Sequence, residues 1–159
     1  QVLGAVSGFL EKGRAHCQAN NIDLNEVVET RLYPDMLPFR FQIISVAHHS
    51  KGALDGVQAG VFMPPSGVAN QDYAALQKIV ADARAGLQKL TREAVDALQG
   101  KDVVFKLGER GMPFTAEGFL MSFSMPNLHF HATTAYDMLR MKGVPLGKRD
   151  YMGKMKLAN

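Results

Sequence analysis

The chain of 159 residues is long enough for one domain with a sizeable core, and its 47% hydrophobic and 21% charged residues are an ordinary globular balance. The net charge is +3 and the basic residues are scattered among acids, which argues against a nucleic-acid partner. The single cysteine, Cys17, excludes an internal disulfide, and the sequence lacks both a membrane-length apolar run and the pattern of a signal peptide. We therefore predict a cytoplasmic protein that binds neither nucleic acid nor a membrane.

The first half of the chain predicts two long helices with a short one between them. Apolar residues recur at helical spacing over residues 2–19, and Asp23 is well placed to cap a short helix after it. The second long helix is predicted over residues 35–57, with Pro38 in its first turn, where proline is tolerated. A segment rich in glycine and proline then predicts a loop at residues 60–70.

The second half of the chain predicts two more long helices. The 3.6-residue period is clearest over residues 71–98, which predicts the third helix. Two short β-favouring runs then predict a small hairpin or ordered loop near residues 102–121. The last helix begins at Gly118 or Phe123 and ends at Met141. These elements predict an all-α fold, an antiparallel four-helix bundle.

Polar residues fall at unexpected positions on the second long helix. A projection at about 100° per residue places Lys51 inside the apolar arc and His48 at its edge. The same projection turns His49 toward solvent, on a polar face whose other members are Gln42, Ser45, Gly52 and Gly56. Lys51 has two interpretations: its stem is buried while its amine reaches solvent, or it lines a polar pocket and holds an anionic group.

The last helix carries a matching polar stripe. His131 projects near its apolar side, and Asn127 and Thr134 are its neighbours one turn away, whereas His129 lies on another face. An inward histidine is either a hydrogen-bonded core residue or an acid–base group in a pocket. Together with His48, it predicts a two-histidine pocket between helices.

The sequence resembles an uncharacterised family, a domain of unknown function, that is grouped with the DinB/YfiT-like four-helix bundles. Residues 126–140 and 143–153 carry the most specific resemblance, and residues 31–38 match an earlier block. The resemblance implies a single DinB-like helical-bundle domain over residues 1–159, which is often a homodimer.

The resemblance also implies a kind of site. The broader superfamily includes divalent-metal enzymes, among them thiol-dependent transferases, whose ligands are one histidine of the second helix and an HxxxH pair of a later helix. In this chain His48 and His131 match two of these ligands for zinc or nickel. Ala135 or Asn127 stands where the third histidine would be, so the third ligand is missing.

The predicted function is a small-molecule transferase or hydrolase, metal-assisted or thiol-dependent, with its site in the polar pocket between helices. His131 and Lys51 are the predicted catalytic residues. The predicted substrate-binding residues are Arg31, Asp35, Asn127, Thr134 and Tyr136. One alternative is a non-catalytic ligand-binding or stress-related dimer without metal, and another is a structural dimer whose polar stripe is a satisfied network.

Overall fold

The protein, described here from a computed structural model, is resolved over residues 1–158, and Asn159 lies outside the described range. Within this range no helix has the length and hydropathy that crossing a bilayer requires. The elements in chain order are α1 (Val2–Ala19), α2 (Leu24–Glu29), α3 (Phe39–Ala47), the π-helical segment π1 (His48–Gly52), α4 (Ala53–Ala59), β1 (Val61–Phe62), α5 (Tyr73–Gln88), α6 (Arg92–Asp96), β2 (Asp102–Leu107), β3 (Arg110–Thr115), α7 (Ala116–Gly118), the π-helical segment π2 (Phe119–Ser124), α8 (Met125–Met141) and α9 (Lys148–Met152).

A three-stranded mixed sheet corrects the predicted fold class. Strand β2 pairs antiparallel with β3 and parallel with β1, in the order β1-β2-β3. The prediction of an all-α, antiparallel four-helix bundle is therefore wrong, although the hairpin expected near residues 102–121 is present. Its two-residue turn begins at Gly108, whose φ of +60° suits a glycine at this position. Strand β1, which lies in the predicted loop, has only two residues. That is too few to show the alternation of apolar and polar residues by which a strand is predicted.

Four long helical segments position the site. Helix α3, π1 and α4 form one continuous segment, and α7, π2 and α8 form another. The segment α3–π1–α4 packs between α5 and α8, and α1 packs on the same two helices. One apolar core fills the space among the long helices, and a second lies beneath the sheet. The continuous segment α3–π1–α4 is thus covered on more than one side.

Capping residues set the helix boundaries. Asp23 caps α2 as predicted, by accepting a hydrogen bond from the Asn25 amide. Pro38 is the residue before α3, so the second long helix begins at Phe39 instead of residue 35. The predicted third helix is interrupted after α5, because the Thr91 hydroxyl caps a separate helix, α6.

Two glycines of α1 provide a test of this packing. A Cβ on Gly13 would stand 2.6 Å from the hydroxyl oxygen of Tyr73, which donates a hydrogen bond to the Leu10 carbonyl. We expect Gly13→Ala to lower the free energy of unfolding by about 1–3 kcal/mol. Gly8 has no atom within 4 Å of such a Cβ, so Gly8→Ala should raise it by about 0.5–1 kcal/mol. Urea denaturation measures both, and equal effects would contradict the packing described.

Candidate functional site between the two π-helical segments

A buried polar stripe runs along α3 into π1. Gln42, Ser45 and His49 are spaced at i, i+3 and i+7, which places them on one face of the helix. Their exposed fractions are only 2%, 1% and 9%. The stripe faces α8, because Gln42 is hydrogen-bonded to His131.

The sequence projection assigned this stripe to solvent, and for His49 that prediction is wrong. The helix packs against α8 as well as α5, so the face opposite its apolar arc is buried too. The wider turn of π1 also breaks the uniform 100° step on which the projection depends. The signal that could have identified the stripe is the helical spacing of Gln42, Ser45 and His49 within an otherwise apolar segment.

The rings of His49 and His131 are stacked on each other. Their centroids are 5.9 Å apart and their planes differ by 14°. Phe123 of π2 packs against His49, and Phe41 and Phe130 pack edge-on against His131. Two imidazoles from different helices are thus in contact and have aromatic side chains on either side.

Gln42 fixes the tautomer of His131. The Gln42 side-chain amide donates to the Leu37 carbonyl at 2.8 Å, which leaves its oxygen Oε1 to act as acceptor. That oxygen lies 2.7 Å from Nδ1 of His131, so Nδ1 carries the proton and donates it. In the neutral ring, Nε2 of His131 is therefore an unprotonated lone pair.

Ser124 fixes the tautomer of His49 and joins π2 to π1. The Ser124 hydroxyl oxygen lies 3.2 Å from both Nδ1 and the carbonyl oxygen of His49. A hydroxyl has one proton, and a carbonyl can only accept. Both contacts are hydrogen bonds only if the hydroxyl donates to the carbonyl and Nδ1–H donates to the hydroxyl. His49 therefore also has an unprotonated Nε2.

Burial keeps both rings neutral. It lowers the pKa of His131 to about 4. Burial, together with repulsion from His48 and His131, lowers the pKa of His49 to about 3. At neutral pH the pair of rings therefore presents two unprotonated Nε2 atoms, which can accept hydrogen bonds, and no positive charge.

A buried hydroxyl without a partner lies on the same stripe. Within residues 1–158, the buried side-chain atoms that lack a hydrogen bond are Oγ of Ser45 and Nε of Arg40. Ser45 lies between Gln42 and His49 along the stripe, one turn from each. An unpaired buried polar group costs free energy, and this one lies on the same helical face as His49.

Two serine substitutions test this assignment. Ser45→Ala removes an unpaired buried hydroxyl, so we expect the free energy of unfolding to stay level or rise by up to about 1 kcal/mol. Ser124→Ala removes the partner of the buried His49 ring, so it should cost about 1–3 kcal/mol. Chemical denaturation compares the two, and a large loss in Ser45→Ala would show that this hydroxyl has a structural partner.

His48 packs edge-on against His49, with ring centroids 5.5 Å apart, but its own polar contact and the ion pair of Lys51 are made elsewhere. Nε2 of His48 contacts the Met63 carbonyl oxygen at 2.7 Å, and its ring stacks on Phe62. Burial lowers the pKa of His48, and the contact with Met63 partly offsets this effect. Lys51 pairs with Asp55, and both line a cleft of about 580 Å³ with His48. His131 does not line this cleft, so the structure does not bring the two predicted catalytic residues together.

Asn127 and Thr134 flank His131 on α8, as predicted from the spacing. The Asn127 side chain donates to the Phe123 carbonyl at 2.7 Å, and the Thr134 hydroxyl donates to the Phe130 carbonyl at 2.8 Å. Both bonds are formed within their own helical segment. These two side chains are satisfied locally and are not directed at a common ligand.

The other predicted substrate-binding residues lie elsewhere. Tyr136 packs between Phe9 of α1 and Tyr151 of α9. Arg31 and Asp35 are exposed in the segment between α2 and α3. The five residues predicted to bind substrate are therefore not gathered at one site.

The donor set does not fit the metal centre that the sequence resemblance implies. Most catalytic zinc sites use three protein ligands. Within residues 1–158, no group of three His, Cys, Asp or Glu side chains is arranged to hold a metal ion. Nε2 of His48, one of the two predicted ligands, is already engaged with Met63.

A solved structure and a family model are both similar to this chain. The crystal structure of a DinB family member from Shewanella denitrificans superposes with a TM-score of 0.83 at 22% sequence identity, covering 99% of this chain and 89% of that one. This likeness shows a DinB-like fold. No curated protein matches the chain. The model of the family described as "Domain of unknown function (DUF1993)" matches residues 1–152, and the chain therefore belongs to that family.

Proposed function

We propose that this protein binds a small molecule at the His49–His131 pair and hydrolyses it or transfers a group to or from it. His131 would be the proton acceptor. One observation carries the proposal: Gln42, itself oriented by the Leu37 carbonyl, holds His131 with Nε2 free. This is the arrangement that a general base requires, since the acceptor nitrogen is fixed by a hydrogen bond at the other one.

The same groups support a balanced reaction step. Water, or a thiol in the transfer reaction, gives its proton to Nε2 of His131 while its oxygen or sulfur bonds to the electrophilic carbon. The leaving group departs with the electrons of its broken bond. An alkoxide or phenolate takes the proton back from the imidazolium, whereas chloride leaves as the ion and the imidazolium gives its proton to solvent. Gln42 Oε1 accepts from Nδ1–H throughout, so the ring keeps its orientation. The Ser45 hydroxyl lies on the same helical face as Gln42 and has no partner within residues 1–158.

A second candidate function is ligand binding without catalysis. Its support is the pKa of His131, lowered to about 4, because such a ring is a weak base at neutral pH. Two neutral rings would instead accept hydrogen bonds from a ligand with O–H or N–H donors. The aromatic side chains around them favour a flat apolar body for that ligand.

Two chromogenic probes test the catalytic proposal. Hydrolysis is followed with p-nitrophenyl acetate, and transfer with 1-chloro-2,4-dinitrobenzene plus glutathione. We expect turnover by the wild type and a loss of about 10²- to 10⁴-fold in His131→Gln. His129→Gln is the matched control, because His129 is exposed on another face of α8 and contacts Tyr151. Wild-type rates equal to buffer, or equal losses in both variants, would contradict catalysis by His131 on these substrates.

Phenol and anisole test the binding candidate, since only phenol has an O–H donor. The ¹⁵N signals of His49 and His131 report which nitrogen is engaged. Phenol is expected to shift the Nε2 signals, and anisole is not. Equal responses to both compounds would contradict recognition through the ring nitrogens.

A chelator tests the metal-assisted interpretation of the sequence. Turnover that is lost in EDTA and restored by zinc or nickel would require a metal beside His131. The homodimer, the single domain and the cytoplasmic location stay predictions from the sequence.

A further inference from the structure

A second and larger cavity lies away from the histidine pair. Its volume is about 1080 Å³, and it is a partly open pocket bounded by the start of α1, the end of α5, the start of α8 and residues 154–157. None of Gln42, Ser45, His49, Ser124 or His131 lines it. Its size is at the upper end of the range for small-molecule pockets, about 300–1,000 Å³, so a ligand of that size fits against its walls.

The lining of this cavity is apolar with a cationic part. Leu3, Leu87 and Leu128 contribute apolar surface from three different helices. Arg84 and Lys154 contribute positive charge, and no Asp or Glu is among the lining residues. An apolar wall with charge of one sign is complementary to a molecule that has a hydrocarbon part and the opposite charge.

Arg84 is an exposed residue whose side chain lies along α1 at this cavity. Its guanidinium carbon lies 3.7 Å from the position that a Cβ on Gly4 would occupy, so the group rests against α1 where no side chain intervenes. Within residues 1–158 its side chain forms no hydrogen bond or ion pair. By contrast, Lys78 of the same helix pairs with Asp82. A guanidinium is well suited to bind a carboxylate through two parallel hydrogen bonds.

We infer that this cavity binds an amphiphilic anion, a small molecule with a carboxylate head and a hydrocarbon tail. Arg84 holds the carboxylate, and the apolar wall covers the tail. Residues 154–157 form one wall and follow the last residue of the family match, residue 152. This wall therefore lies outside the residues that the family model matches. The inference is independent of the chemistry proposed for His131.

Calorimetry with decanoate tests the inference on the full chain. We expect one decanoate per chain, and little binding of acetate or of decyltrimethylammonium, which lack the tail and the negative charge, respectively. Arg84→Gln should raise the dissociation constant about tenfold, the effect of losing one charge-assisted contact. Leu87→Ser should weaken binding as well, through the tail. Arg14→Gln is the matched control, an exposed arginine of α1 that does not line the cavity.

Three results would overturn the inference. They are the absence of decanoate binding to the wild type, equally tight binding of decyltrimethylammonium, and a loss in Arg84→Gln no greater than in Arg14→Gln. His131→Gln should leave decanoate affinity unchanged. That result would show that decanoate binding does not depend on the site of the proposed function. The hydrolysis and transfer assays can therefore fail while decanoate binding is observed, and the reverse.

Discussion

Acidification from pH 7 to pH 4.5 is expected to reduce the free energy of unfolding by about 5 kcal/mol. The pKa values of His49 and His131 are lowered to about 3 and about 4, below the ordinary value of about 6.5. Between these limits the unfolded chain takes up a proton at each histidine and the folded chain does not. Stability is therefore lost as the pH falls, by about 1.4 kcal/mol per pH unit for each ring. A loss of this size is comparable with the whole stability of a small domain.

Urea titrations at several pH values measure this slope. His131→Gln should flatten it by about half, because one of the two buried rings no longer contributes. His129→Gln is the control, since His129 is exposed, and it should keep the wild-type slope. A wild-type slope near zero between pH 6 and pH 5 would show that the two rings take up protons in the folded state.

Substitution of Gln42 by leucine is expected to change both the stability of the protein and the tautomer of His131. Leucine is similar in volume but removes the acceptor of His131 Nδ1–H, which then lacks this partner at a half-buried position. Such a loss costs about 1–3 kcal/mol. Without the acceptor at Nδ1, the ring is also expected to shift toward the tautomer protonated at Nε2. The free energy of unfolding and the ¹⁵N spectrum of the histidine rings measure the two effects separately.

Gln77→Leu is the matched control for this experiment. Gln77 donates a solvent-exposed hydrogen bond to Glu11 at 2.6 Å, so its loss should change stability by about 0.5 kcal/mol or less. Its spectrum should keep the wild-type tautomers. If Gln42→Leu retains Nδ1–H on His131, the tautomer is not set by Gln42 and the basis of the catalytic proposal is removed.

Much of the helical part of the fold follows from periodicity and capping. Residues 2–19 form α1 as predicted, and Asp23 caps α2. The predicted helix over residues 71–98 continues too far, because apolar residues keep the same spacing across the break at Thr91. Strand β1 could not be predicted, since it forms only by pairing in parallel with residues more than forty positions later. Local patterns do not encode such a pairing.

The site was only partly predictable for a related reason. His131 was identified because its own helix shows an inward polar residue. Its partners Gln42 and His49 were assigned to solvent, because a helix projection shows one apolar arc and cannot show that the opposite face packs on α8. Pro126 indicates that a helix begins or is kinked near it, but the sequence before it does not indicate a π-helical segment.

The two π-helical segments make chain length, as well as residue identity, a constraint on this protein. The wider turn of π1 stands between α3, which Gln42 ties to α8, and α4, which leads into the pairing of Val61 with Val104. A π-helical turn holds more residues than an α-helical turn, so deleting one residue from His48–Gly52 would allow the segment to close as a regular α-helix. The directions of the side chains within π1 therefore depend on its number of residues. We expect a change of length to be tolerated in the loop at residues 63–72 and not in π1 or π2.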